Sequence, residues 1–319
     1  MSASPAEPTS IWGQPVDPND PEGMALGGYL PLRFFTDFLA FLARHRERIE
    51  IITYDDLDWR DDYDYRDNYP AENARWKGQF DTGGRSRDKF YVLLQHDVDD
   101  TPERTMAILR RERELGLCAN VMIFNRAVSR PVLEQTGRVV DMPYRLDRTA
   151  LAAYAREHGF VVGYHHNAYE QACFDLETAW DLMRRDIGEL RRQFDLRYLS
   201  AHGGTRSAAG DSNSVTGLPP DLENRIRWVH NRFGVRFKAN YTDGALNAHI
   251  YDPEGRDLRD FVRSWRPGYR YRILTHPQYY SSPHRVAPCL EPTRWYREVL
   301  GHYTDLDCPS LWDEVVLAE

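Results

Sequence analysis

Tyr91-Val-Leu-Leu-Gln95 is a short, mostly apolar run that leads straight into His96, Asp97, Asp99 and Asp100. Such a run reads as a buried strand. Carboxylates clustered at the end of a buried strand must be paired or given a cation, because burying unpaired charge is prohibitively costly. Asp97 and Asp99 lie two residues apart, so on an extended backbone they point the same way and can serve one centre. Oxygen ligands beside imidazole suit a divalent metal, zinc foremost, with manganese, iron or cobalt as alternatives. A plainer reading is an acidic turn that caps the next helix, with Asp100 or Thr101 at the N-cap and Pro102 at the first position.

From Tyr91 onward, strand-like and helix-like segments alternate. Pro102–Leu115 reads as a helix that stops at Gly116, followed by the strand Asn120-Val-Met-Ile-Phe124. Arg148–His158 is helical to Gly159, and Phe160–His165 is the next strand. Asp175 caps a long amphipathic helix reaching about Phe194, before the strand Arg197–His202. A helix is expected around Leu222–Phe233, a weaker strand at Arg236–Tyr241, and a short helix at Leu258–Trp265. Tyr271–His276 is the last clear strand and Thr293–Tyr303 a closing helix. This alternation predicts βα units around a parallel sheet.

The segment before Tyr91 is different. Residues 1–28 are rich in Pro, Ser, Asp and Gly and are expected to be a flexible tail. Leu32–Ile49 has helical apolar spacing, and Ile51–Tyr54 is a short strand. Between Trp59 and Asp88, aromatics (Trp59, Tyr63, Tyr65, Tyr69, Trp76, Phe80) alternate with Asp and Arg. They either stack on sugar rings or staple the loop to the body. Residues 29–319 are expected to form one domain, with 29–88 as an N-terminal helical and loop extension over the pocket rim.

Acidic residues exceed basic ones by 49 − 41 = 8, and there is no long basic run, which disfavours a nucleic-acid partner. The four cysteines (Cys118, Cys173, Cys289, Cys308) are scattered without a CxxC pair, as suits a reducing compartment. No basic n-region or apolar h-region opens the chain, and no apolar run approaches the roughly 20 residues that span a bilayer. A cytoplasmic location is expected.

Four strands end in histidine or a His-Asp cluster: His96-Asp97, His165-His166, His202 and His276. In a parallel barrel all strand C-termini open onto one face, which carries the active site. A single such histidine is ordinarily a structural residue, but four strands with the same ending point to a metal site.

The series His96-Asp-Val-Asp99, Val162-Gly-Tyr-His165, Ser200-Ala-His-Gly203 and Leu274-Thr-His-Pro277 resembles the polysaccharide deacetylase (NodB-homology) superfamily, in the branch whose first motif is His-Asp-Val-Asp. The resemblance covers about residues 90–280, with the motifs in family order. It implies a distorted, incomplete (β/α) barrel and metal-dependent hydrolysis of an N-acetyl group or a related C–N amide bond. Asp97 matches the family's general base, Asp99 its metal-binding aspartate, and His165 the first histidine of a His-x-x-x-His metal motif. Tyr169 stands where the second histidine is expected. Candidates for the third ligand are His202, then His166, then Glu170. His276 matches the late histidine that protonates the leaving amine. Substrate contacts are expected from His96, His166, Asn125, Arg206, Trp59 and Trp76.

The chemistry also stands on the residues alone. A divalent ion lowers the pKa of water and polarises an amide carbonyl, while Asp97 removes a proton and an imidazole supplies one to the expelled nitrogen. No Gly-x-Ser-x-Gly elbow or Walker-type loop is present in the sequence. The expected substrate is an N-acetylated sugar or glycoconjugate. Two other readings stay open: a cyclic-imide or ureide amidohydrolase, and a carbohydrate-binding barrel without catalysis, which Tyr169 would favour.

Overall fold

A computed structural model describes residues 31–57, 63–64, 86–99, 102, 105–223, 225–229, 234–235, 237–243, 257–277, 294–303, 305 and 307–319. The expected tail and the rim aromatics Trp59 and Trp76 lie outside the described residues. In chain order the elements are α1 (Leu32–Arg44), β1 (Ile49–Ile52), β2 (Tyr63–Asp64), β3 (Phe90–Val98), α2 (Thr105–Glu114), β4 (Asn120–Ile123), β5 (Ala127–Val128), α3 (Arg130–Thr136), β6 (Asp141–Met142), α4 (Arg148–His158), β7 (Val161–His166), α5 (Ala168–Gln171), α6 (Leu176–Leu190), β8 (Tyr198–Ala201), β9 (Arg227–Trp228), β10 (Gly234–Val235), β11 (Ala239–Thr242), α7 (Leu258–Arg263), β12 (Arg270–Thr275) and α8 (Arg294–His302).

Eight strands form one sheet in the order β11-β12-β3-β4-β7-β8-β9, with β1 also on β3, and every pairing is parallel. β3, which carries the Tyr91–Gln95 run and its acidic cluster, pairs with three strands, β1, β12 and β4. β1 pairs with Phe90–Leu93 and β4 with Gln95–Val98, so they take successive halves of one edge, while β12 runs along the other. β2 with β10, and β5 with β6, make separate two-stranded antiparallel pairs.

Side-chain alternation along β3 divides the molecule. Phe90, Val92, Leu94 and Val98 join the larger core under the helices, whereas Tyr91 and Leu93 join a second cluster with Ile52, Tyr54, Met122, Tyr198, Val229 and Phe237. The second cluster gathers residues from both halves of the sheet, so the sheet is curled around it. Arg272 of β12 makes the same point, because its Nη1 donates to the carbonyl of Val229, just past β9, at 2.8 Å. Among the described residues no ladder joins β11 to β9. The result is the expected curled, incomplete (β/α) barrel.

The outer layer follows from amphipathic spacing. Helix α1 buries Phe34, Phe35, Phe38 and Phe41, and Trp312 from the C-terminal segment packs on three of them at 4.7–5.4 Å. Each buried phenylalanine stabilises the fold by about 1.5–3 kcal/mol. The helix ends at Arg44 rather than near Ile49, because Ile49–Ile52 completes its backbone hydrogen bonds along β3 instead. Gly116 and Gly159 terminate α2 and α4 as expected, with φ of 70° and 76° that favour glycine. Asp175 caps α6 by accepting from the Thr178 amide at 2.9 Å.

One expected helix, around Leu222–Phe233, is not found among the described residues. Residues 225–229 do not continue a helix from Leu222: they run beside β8, with Arg227 N–H on the Arg197 carbonyl and Val229 N–H on that of Leu199. The segment Arg225-Ile-Arg-Trp228 alternates polar and apolar residues, and Ile226 and Trp228 are buried. That period of two suits a strand.

Close packing inside the curl singles out Gly163. A Cβ there would collide with Met122 Sδ and stand 3.0 Å from the Tyr198 carbonyl. Gly163→Ala is therefore expected to destabilise the protein by about 1–3 kcal/mol, read as a lower Tm. An unchanged Tm would show that Met122 swings aside without cost.

Candidate active site

The titratable residues that face Asp99 at the C-terminal mouth of the curl come from the inward-facing phase of their strands. Asp97 and Asp99 continue the series Tyr91, Leu93, Gln95 along β3. His165 continues Val161 and Gly163 on β7, His202 continues Tyr198 and Ser200 past β8, and His276 continues Arg272 and Leu274 past β12. Asp99, His165 and His202 each offer a ligand atom, and these atoms lie within 4.8 Å of one another. His165 Nε2 is 3.2 Å from Asp99 Oδ1 and 3.6 Å from Asp97 Oδ2. His202 Nε2 and His276 Nε2 stand 3.8 and 3.9 Å from Asp99 Oδ2.

Each imidazole is aimed by a bond to its other nitrogen. His165 Nδ1 meets Ser200 Oγ at 2.9 Å, and His202 Nδ1 meets Glu170 Oε2 at 2.9 Å, which leaves both Nε2 atoms facing Asp99. Phe124 stacks flat on His165, 5.2 Å between ring centroids, and meets His202 edge-on at 5.0 Å. Burial works against the Asp99 charge, but His202, His165 and His276 together hold its carboxyl well below the usual range. Burial likewise lowers His202, and Glu170 with Asp99 outweighs it, so His202 ends above its ordinary value. Two anchored imidazoles and one buried carboxylate converging on one point fit a divalent cation, because such a carboxylate needs a positive partner and each histidine is already oriented.

The ranking of third-ligand candidates resolves into different positions. His202 joins the cluster. Glu170 does not: its carboxylate is taken up by His202 Nδ1, by Asn213 Nδ2 at 3.1 Å and by the Thr205 amide. Gly204 makes that arrangement possible, since a Cβ there would collide with Glu170 Oε1. His166 is also corrected, as a ligand candidate and as a substrate contact. It is one residue out of phase with His165 and is fully buried, 5.1 Å from the Trp228 ring. Tyr169 stands off the cluster on α5, its amide donating to Asn213 Oδ1 at 3.0 Å. The third member of the cluster comes from the end of β8 rather than from position 169.

His276 is held by Asp243, a residue absent from the sequence expectations. Asp243 Oδ2 accepts the His276 amide at 2.7 Å and Oδ1 meets His276 Nδ1 at 2.6 Å. Burial lowers the imidazole, but Asp243, then Asp99 and Asp97, outweigh it and raise it to about 10. Asp243 follows the weak strand β11, so the strand-end rule that found the other residues applies to it too.

Two further expectations are corrected. His96 is out of phase with Asp97 and lies buried beneath the helices, bonded to Thr275 Oγ1 at 2.7 Å and Glu112 Oε1 at 2.8 Å. It ties α2 to the sheet and is 1% exposed. Asn125 donates to Asp186 and Glu189, at 2.8 Å each, and meets Arg148, so its amide is committed to structure. Arg206 is exposed and donates to the Gly210 carbonyl of its own loop at 2.9 Å. The cleft beside Asp99 and His202 is walled instead by Phe124, Val128, Arg130, Tyr144 and Asn167. Much of that wall belongs to the β5-α3-β6 excursion, whose elements are too short for periodicity to reveal.

No protein-family model matches the chain, and no curated protein does. Among solved structures it is similar to a family 4 carbohydrate esterase from Bacillus anthracis (12% identity, 66% of this chain and 79% of that chain, TM-score 0.30). It is also similar to the peptidoglycan deacetylase PdaC from Bacillus subtilis (11% identity, 70% and 87%, TM-score 0.35). A third is a family 4 carbohydrate esterase pseudoenzyme from Bacillus anthracis (14% identity, 58% and 54%, TM-score 0.32). Superpositions this partial carry no functional inference. Among the described residues no helix is long and apolar enough to cross a membrane.

Proposed function

We propose that this chain is a metal-dependent hydrolase of the polysaccharide deacetylase superfamily that removes an N-acetyl group from an N-acetylated sugar or glycoconjugate. The observation that carries the reading is the convergence of Asp99, His165 and His202 within 4.8 Å, bordered by Asp97 beside His165 and by His276 beside Asp99. A divalent ion, zinc foremost, would be held by Asp99, His165 Nε2 and His202 Nε2, and when bound it supplies Lewis acidity toward an amide carbonyl and makes water acidic enough to react near pH 7.

The chain's own residues supply the rest. Asp97 has one oxygen, Oδ1, engaged by Gln95 at 2.6 Å, which leaves Oδ2 on the His165 side to take a proton from water. His276 keeps Nδ1 on Asp243, so Nε2 is the atom that hands a proton to the expelled nitrogen. Phe124 and Tyr144 present apolar surface beside the cluster, which limits water around the reacting carbonyl. Tyr169 does not count against catalysis, because His202 fills the place of the missing histidine.

The test is metal analysis of the purified protein, followed by acetate release from N-acetylated chitooligosaccharides and N-acetylated nucleotide sugars. About one divalent ion per chain and chelator-sensitive acetate release are expected. A metal-loaded protein that leaves all of these substrates intact but opens a cyclic ureide such as hydantoin would overturn the deacetylase reading.

A further inference from the structure

Beneath Asp97 a line of buried polar groups crosses the inside of the curl, where hydrocarbon would otherwise pack. Arg272 of β12, 1% exposed, donates from Nη1 to the Tyr54 phenol oxygen at 3.3 Å and to the Val229 carbonyl at 2.8 Å. The Tyr54 hydroxyl donates to Gln95 Oε1, and Gln95 Nε2 donates to Asp97 Oδ1 at 2.6 Å. The direction of every bond follows from chemistry. A guanidinium only donates, so the phenol must accept from it and pass its own proton onward to a carbonyl oxygen. The amide nitrogen of Gln95 is then the end that faces the carboxylate.

Each member is fixed in its own right. The Tyr54 amide donates to Asn120 Oδ1 at 2.9 Å, and its ring lies against Tyr198 with centroids 5.3 Å apart. Thr53 and Asp56 form a reciprocal cap on the turn that carries it. Arg272 lies over the Phe237 ring at 5.4 Å. Burial raises the Tyr54 phenol against the pull of Arg272, which keeps it an O–H donor. Arg272 enters the line through Nη1 alone, and the run from Nη1 through Tyr54 and Gln95 to Asp97 has every bond pointing toward the carboxylate, which polarises it toward that acceptor.

We infer that Gln95, Tyr54 and Arg272 form a positioning relay that locks the Asp97 carboxylate in one rotamer, occupying Oδ1 so that only Oδ2 faces the reacting water. None of the three touches substrate. The inference rests on the proposed role of Asp97 as base. Its structural half, the single locked rotamer, stands apart from that role.

Two readouts keep the two apart. In metal-free protein, the carboxyl-carbon resonance of Asp97, assigned by its disappearance in Asp97→Asn, is expected to move in Gln95→Met and by less in Tyr54→Phe. In zinc-loaded protein assayed on triacetylchitotriose, Gln95→Met should lose about 10²-fold in kcat, the scale on which misplacement by an ångström acts, with KM within about twofold and metal content unchanged. Tyr54→Phe should lose less, about 3–10-fold, and serves where Gln95→Met fails to fold. The double variant should be no worse than Gln95→Met alone, because the residues act in series. An unmoved resonance in both variants, an unchanged kcat in both, or additive losses in the double variant would overturn the relay. If the wild-type protein releases no acetate, the proposed function falls and the resonance alone decides the relay.

Discussion

Asp99→Ala is expected to leave the protein without bound metal and without activity at any practical metal concentration. Asp99 is the one anionic donor in the cluster, lying 3.2 Å from His165 Nε2 and 3.8 Å from His202 Nε2, and it is nearly inaccessible to solvent. Removing it takes away both a ligand and the charge that offsets a divalent cation in a low-dielectric site. The remaining histidines have neutral donor atoms and cannot replace that charge. His165→Ala removes a ligand but leaves the carboxylate, and should also empty the site. Glu170→Gln is the graded control. Glu170 touches the cluster only through His202 Nδ1, so its loss should weaken metal binding by about 10–100-fold without abolishing it. Elemental analysis and zinc titration of the three variants test the ranking. Full occupancy in Asp99→Ala or His165→Ala would remove those residues from the ligand set.

Strand phase separates what could be read in the chain from what could not. Asp97 and Asp99 share a phase by being two apart, and the same rule puts His165, His202 and His276 on the inner side of their strands. Applied consistently, it also sets aside His96 and His166, each one residue from a site residue and so on the helical side. Those corrections were available from spacing alone. Asn125 was not, because nothing local shows that its amide is committed to Asp186 and Glu189. Asp243 was hidden by the weakness of its strand, four residues in which only Tyr241 is fully buried. Tyr54 bonds Gln95 from 41 residues before it and Arg272 bonds Tyr54 from 177 residues after Gln95, and what brings them together is the pairing of β1 and β12 with β3, which local spacing does not reveal. The helix expected over Leu222–Phe233 failed because an alternating polar and apolar segment at the sheet edge found its hydrogen bonds on β8.

His276→Ala is expected to keep its metal and lose about 10²–10⁴-fold in kcat, the usual range for a missing general acid. Its Nε2 stands 3.9 Å from Asp99 Oδ2, farther than His165, and its Nδ1 and amide are both tied to Asp243, which is outside the cluster. Under the proposed function, that tether holds Nε2 free to donate a proton. Burial alone would strip the imidazole of its proton, but the carboxylates around it reverse the sign and raise it to about 10. The contribution from Asp243 persists whatever Asp99 binds. A histidine at its ordinary value would be mostly neutral at pH 8, whereas an imidazole raised this far would still be charged there and could protonate an amine as it leaves. Loss of the donor should therefore appear as a fall in rate well above pH 7 in the parent protein, and that limb should vanish in His276→Ala. Asp243→Asn should keep the ring in place but bring the limb down toward neutral pH, since the largest upward influence on the imidazole is gone. Substrates with a good leaving group need no proton at that step, so His276→Ala should be least impaired on an activated acetate ester. A His276→Ala protein that comes out metal-free, or one equally impaired on amide and activated ester, would make His276 a ligand or a structural residue instead.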